Sequence, residues 1–380
     1  MKYLIYFIIC FHFACTSGSK NGRHSLKMER IDEIVLQARD CTIVNPSNTW
    51  FIESDSGNYL FAYNHVEKNL HFIDFSDGSV ASKVPLAYDG PNSVRGAMGF
   101  SLIGRDSIGI TFAPPAIALI NFKGEIIWKK EITDEYFDLT TLITTSYKPV
   151  LKIGNNLFGP QPFFMDHLGM AKSDILKQRL VFSLNFDSGE ISWHDVFYNK
   201  NYWDRGKKPS DYSWDQRGKN IYIAPVYDHE VIIFDTHTME VVDRKEVESQ
   251  YIKNFRYANE IVDLETSLKM RLSHDMYGPI IYDRYRDVFY RFFTPGYEPE
   301  DELSFEELRP LGWSRPYSGV MVLDSSLNVI GEHLFDKFEI LPASMFVGEK
   351  GLYLSMNNEN HPDFDENHFR YRLVRFSIGD

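Results

Sequence analysis

Cysteine is scarce in this sequence, helical periodicity is nearly missing, and no apolar run is long enough to cross a bilayer as a helix of about 20 residues. Only Cys10, Cys15 and Cys41 occur in 380 residues, which excludes a disulfide-stapled scaffold and leaves stability to the core. Positive charge is in deficit: 40 Lys and Arg stand against 53 Asp and Glu, a net −13, which argues against nucleic acid or an anionic membrane surface as the main partner. Signature nucleophile and phosphate motifs are missing as well: there is no G-x-S-x-G, H-E-x-x-H, P-loop or G-x-G-x-x-G. What is abundant is apolar and aromatic surface, at 43% and 15% of residues, enough to build a substantial core.

The N-terminus reads MKYLIYFIICFHFAC, with Lys2 ahead of an apolar run from Tyr3 to Phe13 and the small Ala14 before Cys15. This is the pattern of a short secretory signal. With Cys15 at its end and the small polar stretch TSGSKNG (16–22) after it, it resembles a bacterial lipoprotein signal, although His12 stands where such signals usually carry Leu. The resemblance implies a signal peptide over 1–14, a lipidated Cys15 with a tether over 15–25, and a single domain over 26–380. Cys10 then belongs to the signal, and Cys41 is left as a small apolar residue rather than a nucleophile.

Along the domain, apolar and β-branched runs of four to eight residues alternate with Gly, Asp, Asn and Ser. One unit recurs: a strand ending in Asp or Asn, a tight turn, and a second strand. It appears as LHFIDFSDGSVASKV (70–84), ALINFKGEIIWKKEI (118–132), VFSLNFDSGEISWHDV (181–196), VIIFDTHTMEVVDRKEV (231–247) and GVMVLDSSLNVIGEHLF (319–335), and is cut short in YRLVRFSIGD (371–380). The equivalent positions, Asp74, Asn121, Asn185, Asp235, Asp324 and Phe376, lie 47, 64, 50, 89 and 52 residues apart. Such periods built from short strands indicate a β-propeller with four strands per blade. The expected fold is all-β, with six antiparallel blades over roughly 48–87, 97–132, 149–197, 211–248, 275–336 and 341–380; seven blades is the alternative. The long 89-residue interval fits one blade interrupted by an insertion, 294–317. The sixth blade lacks a fourth strand, and the segment 26–37 (LKMERIDEIVLQ) is expected to supply it and close the ring; a helix over 26–37 is the alternative.

The blade SWDQRGKNIYIAPVYDHEVIIFDTHTMEVVDRKEV (213–247) is similar to those of TolB-like and YVTN-type propellers. The whole layout, down to YDRYRDVFYRFF (282–293), resembles uncharacterised Bacteroidota lipoproteins with a six-bladed propeller domain of unknown function. The resemblance specifies a fold, and of functional positions it carries over Cys15 alone. No acidic run follows Cys15, which under this resemblance points to an outer-membrane anchor facing the periplasm, with secretion or surface exposure as alternatives.

In a propeller the connections alternate between two ends of the blades. The short turns of the repeat fall at one end; the long segments 133–148, 164–178, 197–212, 249–274, 294–317 and 357–369 fall at the other, which marks a binding face. Candidate residues there are Arg95, Trp203, Arg205, His274, Tyr277, Trp313, Arg315 and Tyr317, since aromatic and Arg side chains are the usual anchors of protein and sugar sites. HPDFDENH (361–368) lacks the Gly and distal Glu of a calcium loop, so no metal or cofactor is expected. The expected function is a non-enzymatic binding or scaffolding lipoprotein, joined to a membrane by its N-terminal lipid and taking a protein or glycan ligand. The alternative is a propeller hydrolase or lyase acting on glycan or peptide at the central channel.

Overall fold

The structure is a computed structural model that describes residues 24–39, 49–104, 107–135, 137–162, 168–258, 260–299 and 302–378. The signal, Cys15, residues 16–23 of the expected tether, and Cys41 lie outside the described residues; the last two residues expected in the tether, 24 and 25, begin the first strand.

The first strand, β1 (His24–Gln37), is held until the end of the chain. Blade one is β2 (Thr49–Ser54), β3 (Gly57–Asn64), β4 (Asn69–Asp74) and β5 (Val80–Pro85). Blade two is β6 (Ala97–Leu102), β7 (Ile108–Phe112), β8 (Ala116–Ile120) and β9 (Ile126–Glu131). Blade three is β10 (Leu151–Ile153), β11 (Asn156–Pro160), β12 (Val181–Asn185) and β13 (Ile191–Trp193). Blade four is β14 (Tyr212–Arg217), β15 (Asn220–Pro225), β16 (Glu230–Asp235) and β17 (Glu240–Glu246). Blade five is β18 (Met276–Asp283), β19 (Val288–Thr294), β20 (Gly319–Leu323) and β21 (Val329–Leu334). Blade six is β22 (Met345–Gly348), β23 (Gly351–Ser355), β24 (His368–Ile378) and, as its outer strand, β1. All pairings within blades are antiparallel, so the fold is a six-bladed propeller.

Ring closure follows the sequence pattern. β1 is a strand, not a helix: it pairs with β24 from Leu26↔Ile378 to Gln37↔His368. Its first residues also run parallel to β21, at His24↔Gly331 and Ser25↔Glu332, which joins blades five and six into one eight-stranded sheet. A chain whose last blade holds three C-terminal strands thus gains its fourth from the N-terminus, and no open edge is left there.

The core is divided into slabs, each between neighbouring blades. Period-two alternation builds them. On β16, Ile232 and Phe234 pack toward blade three while Val231 and Ile233 pack toward blade five. On β19, Phe289 and Phe293 face blade four, and Tyr290 and Phe292 face blade six.

The turn of the repeat has one mechanism. The Asp or Asn carboxyl or amide oxygen accepts the backbone N–H two residues on: Ser76 to Asp74 at 2.8 Å, Lys123 to Asn121 at 2.9 Å, Asp187 to Asn185 at 3.1 Å, His237 to Asp235 at 2.8 Å and Ser326 to Asp324 at 2.9 Å. Each turn then needs a left-handed residue. Gly78, Gly124 and Gly189 fill it in three blades, at φ +77°, +79° and +68°, while Met239 and Leu327 fill it in two others at +60° and +64°. Gly78 has a second constraint: a Cβ there would stand 2.3 Å from the Gln37 carbonyl oxygen.

Two helices, α1 (Leu264–Ser273) and α2 (Phe305–Trp313), lie in the connections 249–274 and 294–317 and pack on each other. Asp263 caps α1 by accepting the Thr266 N–H at 2.9 Å, and the Glu307 carboxylate reaches back to the Ser304 N–H at 2.8 Å at the start of α2. Among the described residues no helix is long and apolar enough to cross a membrane.

Candidate functional site

Antiparallel pairing places the first-to-second and third-to-fourth strand turns at one end of the blades. The long connections lie at the other end. These connections are tied together by buried polar groups, and the ties are what shape the site.

The connection 197–212 leaves blade three. Its Tyr198 and Tyr202 rings stack 4.3 Å apart, and Tyr202 donates its hydroxyl to the Pro209 carbonyl at 2.6 Å. Trp203 is 2% exposed and donates Nε1–H to the Lys208 carbonyl at 2.8 Å. Lys207 reaches into the preceding connection and donates to the Leu168 carbonyl at 2.7 Å and the Met170 carbonyl. Lys208 reaches forward into blade four, to the Tyr227 carbonyl at 2.6 Å and the Asp228 carboxylate at 2.8 Å, and lies 4.1 Å from the Tyr202 ring centre. Burial lowers the Lys208 ammonium below its ordinary range.

Between blades four and five the tie is Arg291, a fully buried guanidinium. It donates to four carbonyls of blade four: His229 at 3.0 Å, Val247 at 3.1 Å, Pro225 at 3.1 Å and Asp228 at 2.7 Å. It also sits 3.6 Å from the Tyr277 ring centre. Burial brings it down to about 10. Asp275 does the converse work with an anion: it accepts the N–H groups of Lys253 at 2.6 Å, Asn254 at 2.7 Å and Gly296 at 2.6 Å, and so joins the connection 249–274 to 294–317. Ser314 donates to Asn358 Oδ1 at 2.6 Å, and Asn360 donates back to the Ser314 carbonyl at 3.0 Å, which carries the ties into blade six.

Within this frame the central channel opens as a cavity of about 210 Å³, lined by Tyr147, Asp211, Arg271, Tyr277, Thr294, Ser314 and Arg315 among others. Arg315 is 8% exposed; it donates to the His274 carbonyl at 2.7 Å and to the Arg271 carbonyl, and burial brings it down to about 10. Tyr277 is fully buried; its hydroxyl meets His229 Nδ1 at 2.8 Å and accepts the Ser249 N–H at 3.0 Å, and burial pushes it up to about 12. His274 is partly buried behind that wall, with Nδ1 2.6 Å from the Met270 carbonyl.

The structure therefore places Tyr277 and Arg315 in the cavity wall and His274 behind it, with most of their polar atoms engaged by backbone. It places the Trp203 indole in the interior, as a support of its own connection. Arg205 is exposed and lies 5.4 Å from the Tyr257 ring centre. Tyr317 is partly buried, 6.3 Å from the Tyr297 ring. Trp313 ends α2, and its side chain lies outside the described residues. Arg95 stands apart on a groove of about 500 Å³ beside blade two, ion-paired with Asp89 at 3.0 Å and 76% exposed. Loop 361–368 is held by internal bonds, such as His368 to Asp365 at 2.7 Å, and among the described residues no cluster of His, Cys, Asp or Glu is gathered as a metal ion would need. Sequence reading missed Arg291; the available signal was a charge at an inward position of VFYRFF (288–293).

Tyr147, in the turn 145–148, has its carbonyl accepting the Trp214 N–H at 2.9 Å and borders both the 210 Å³ cavity and a second chamber toward the short turns.

Comparison with known proteins bears on the fold. A crystal structure of a member of the DUF4221 family from Bacteroides vulgatus is similar over 94% of this chain and 100% of its own, with a TM-score of 0.80 at 21% identity. A crystal structure from Bacteroides fragilis, of a protein named "Putative exported protein", is similar over 93% and 95% of the two chains, with a TM-score of 0.54 at 11% identity. Among curated proteins none matches. The family model described as Domain of unknown function (DUF4221) matches residues 25–334, from the closing strand through blade five, and the chain belongs to that family.

Proposed function

We propose that this protein is an envelope lipoprotein whose propeller works by binding a protein or glycan, without catalysis, through the end that carries the long connections. The supporting observation is the set of buried ties described above. Lys207, Lys208, Arg291, Asp275 and Ser314 hold connections from blades three to six in one arrangement. A surface ordered before it meets its ligand loses little conformational freedom on binding. Exposed groups such as Arg205 then stand on a fixed platform.

Attachment by Cys15 suits this reading. β1 starts opposite Ile378, at the short-turn end of β24. A tether running from Cys15 to His24 joins the propeller at the rim on that side, so the long connections face away from the membrane. The name of the Bacteroides fragilis neighbour accords with export, as does the N-terminal signal. An outer-membrane anchor facing the periplasm is the proposed location.

Two measurements test the reading. Cys15→Ser should move the protein from the membrane fraction to the soluble fraction and abolish acyl labelling; unchanged fractionation refutes the anchor. Capture from the native envelope with the wild-type protein should recover a partner that Arg205→Glu loses at least tenfold. Equal capture by both refutes the assignment of the face.

A further inference from the structure

The second chamber lies in the channel at the short-turn end, with a volume of about 320 Å³, within the range of small-ligand sites. Its walls come from the innermost strands of blades one, four, five and six, and from Tyr147. Three charged side chains line it: Glu53, Asp215 and Arg284. Two of these satisfy each other. Arg284 donates to the Glu53 carboxylate at 3.2 Å and to the Tyr285 hydroxyl at 2.7 Å, while Glu53 also accepts the Glu349 N–H at 2.9 Å.

Asp215 is different. Its two oxygens accept only backbone N–H groups, from Gln216 and Tyr282, each at 2.7 Å. Among the described residues no cationic side chain is ion-paired with it. Burial raises its carboxyl to about 6 in spite of those two bonds. Trp50, Tyr282 and Tyr285 supply aromatic surface in the same walls.

We infer that this chamber is a binding site for a compact organic ammonium ion, with the Asp215 carboxylate as its counter-ion. With one guanidinium against two carboxylates, the chamber has one negative charge to offset. Aromatic walls favour a cation over an anion. An N⁺–H donor would give Asp215 the partner that its strand neighbours do not provide. The site is distinct from the cavity at the long-connection end: of the residues lining the two, they share Tyr147 alone.

The probes are glucosamine and 1,5-diaminopentane, each titrated by calorimetry against its neutral counterpart, glucose or pentane-1,5-diol. At pH 7.5 at least one amine should bind at a single site, with its neutral counterpart at least tenfold weaker. Asp215→Asn should weaken the amine at least tenfold. Amine affinity should also fall as pH drops through 6, because Asp215 takes up a proton; the other titratable groups facing the chamber are Glu53, Arg284, Tyr147, Tyr282 and Tyr285. Folding of the variant is checked by circular dichroism, and the pH dependence of the parent keeps the test open if Asp215→Asn does not fold. Equal binding of amine and neutral counterpart, binding by neither amine, or amine binding indifferent to both Asp215→Asn and pH would each overturn the assignment.

Discussion

The outer turns of the blades and the long connections are built by different means. In a third-to-fourth strand turn a side chain bonds within its own turn, as Asn121 does with the Lys123 N–H. Five blades repeat the device, and the loss of one should leave the rest intact. Among the long connections the ties that join one segment to another span long stretches of sequence: Arg291 and Asp228 are 63 residues apart, and Ser314 and Asn358 are 44. There one residue serves several segments at once. Local bonding makes an interchangeable edge, and long-range bonding makes a particular surface.

The largest effect should come from removing what both ends depend on. Deleting 26–37 strips β24 of its partner and removes Leu36, which covers Leu60 and Ile73 of blade one. Insolubility, or a melting transition well below that of the parent, is expected; a deletion that melts like the parent would show that the ring closes without β1. Next comes Arg291→Met, which leaves four carbonyls of blade four without their donor. About 4 kcal/mol should be lost in chemical denaturation. A loss below about 1 kcal/mol would remove the distinction between the ends.

Gly78→Ala tests the turn end at a tight point, where a positive φ and the Gln37 carbonyl coincide. A cost of about 2 kcal/mol is expected, against about 1 kcal/mol for Asn121→Ala, which removes the acceptor of the turn and the amide donor to Glu125. The Asn121 effect should add to that of Asp324→Ala, since the two turns lie in different blades. Marked coupling between them would contradict the picture of independent turns.

Asp215→Asn sharpens the comparison through pH. Folding raises this carboxyl from an ordinary value near 3.8 to about 6. Between those values the folded protein holds a proton that the unfolded chain has released, so stability falls as pH rises, and the full cost is present above 6. The Asn variant carries no such charge. It should be about 1–2 kcal/mol more stable than the parent at pH 7.5, with the gap closing toward pH 4. A constant gap across that range would show that Asp215 does not titrate there.

The ring was legible in the sequence because its determinants are local and repeated. Asp74, Asn121, Asn185, Asp235 and Asp324 mark the same turn in five blades, and the missing sixth turn at Phe376 implied a strand from elsewhere. The end that bears the long connections was legible by the same arithmetic. The fate of single residues was not. Trp203 and Arg205 are two positions apart in one connection, yet the first is interior and the second exposed, because Trp203 caps a carbonyl of its own loop. Arg315 was expected for its charge and is held by the carbonyls of another connection. Contacts of that span have no periodicity to betray them. Asp215 gave no signal at all, since a chamber formed by four blades exists only after the ring has closed.

The claim that the long connections form the binding face is tested most directly by site-specific photo-crosslinking in the native envelope. One photoreactive residue replaces exposed Asp204, beside Arg205, and another replaces exposed Lys123, in a short turn of blade two. A discrete adduct from position 204 and none from position 123 is predicted. Adducts from 123 with none from 204 would contradict the account.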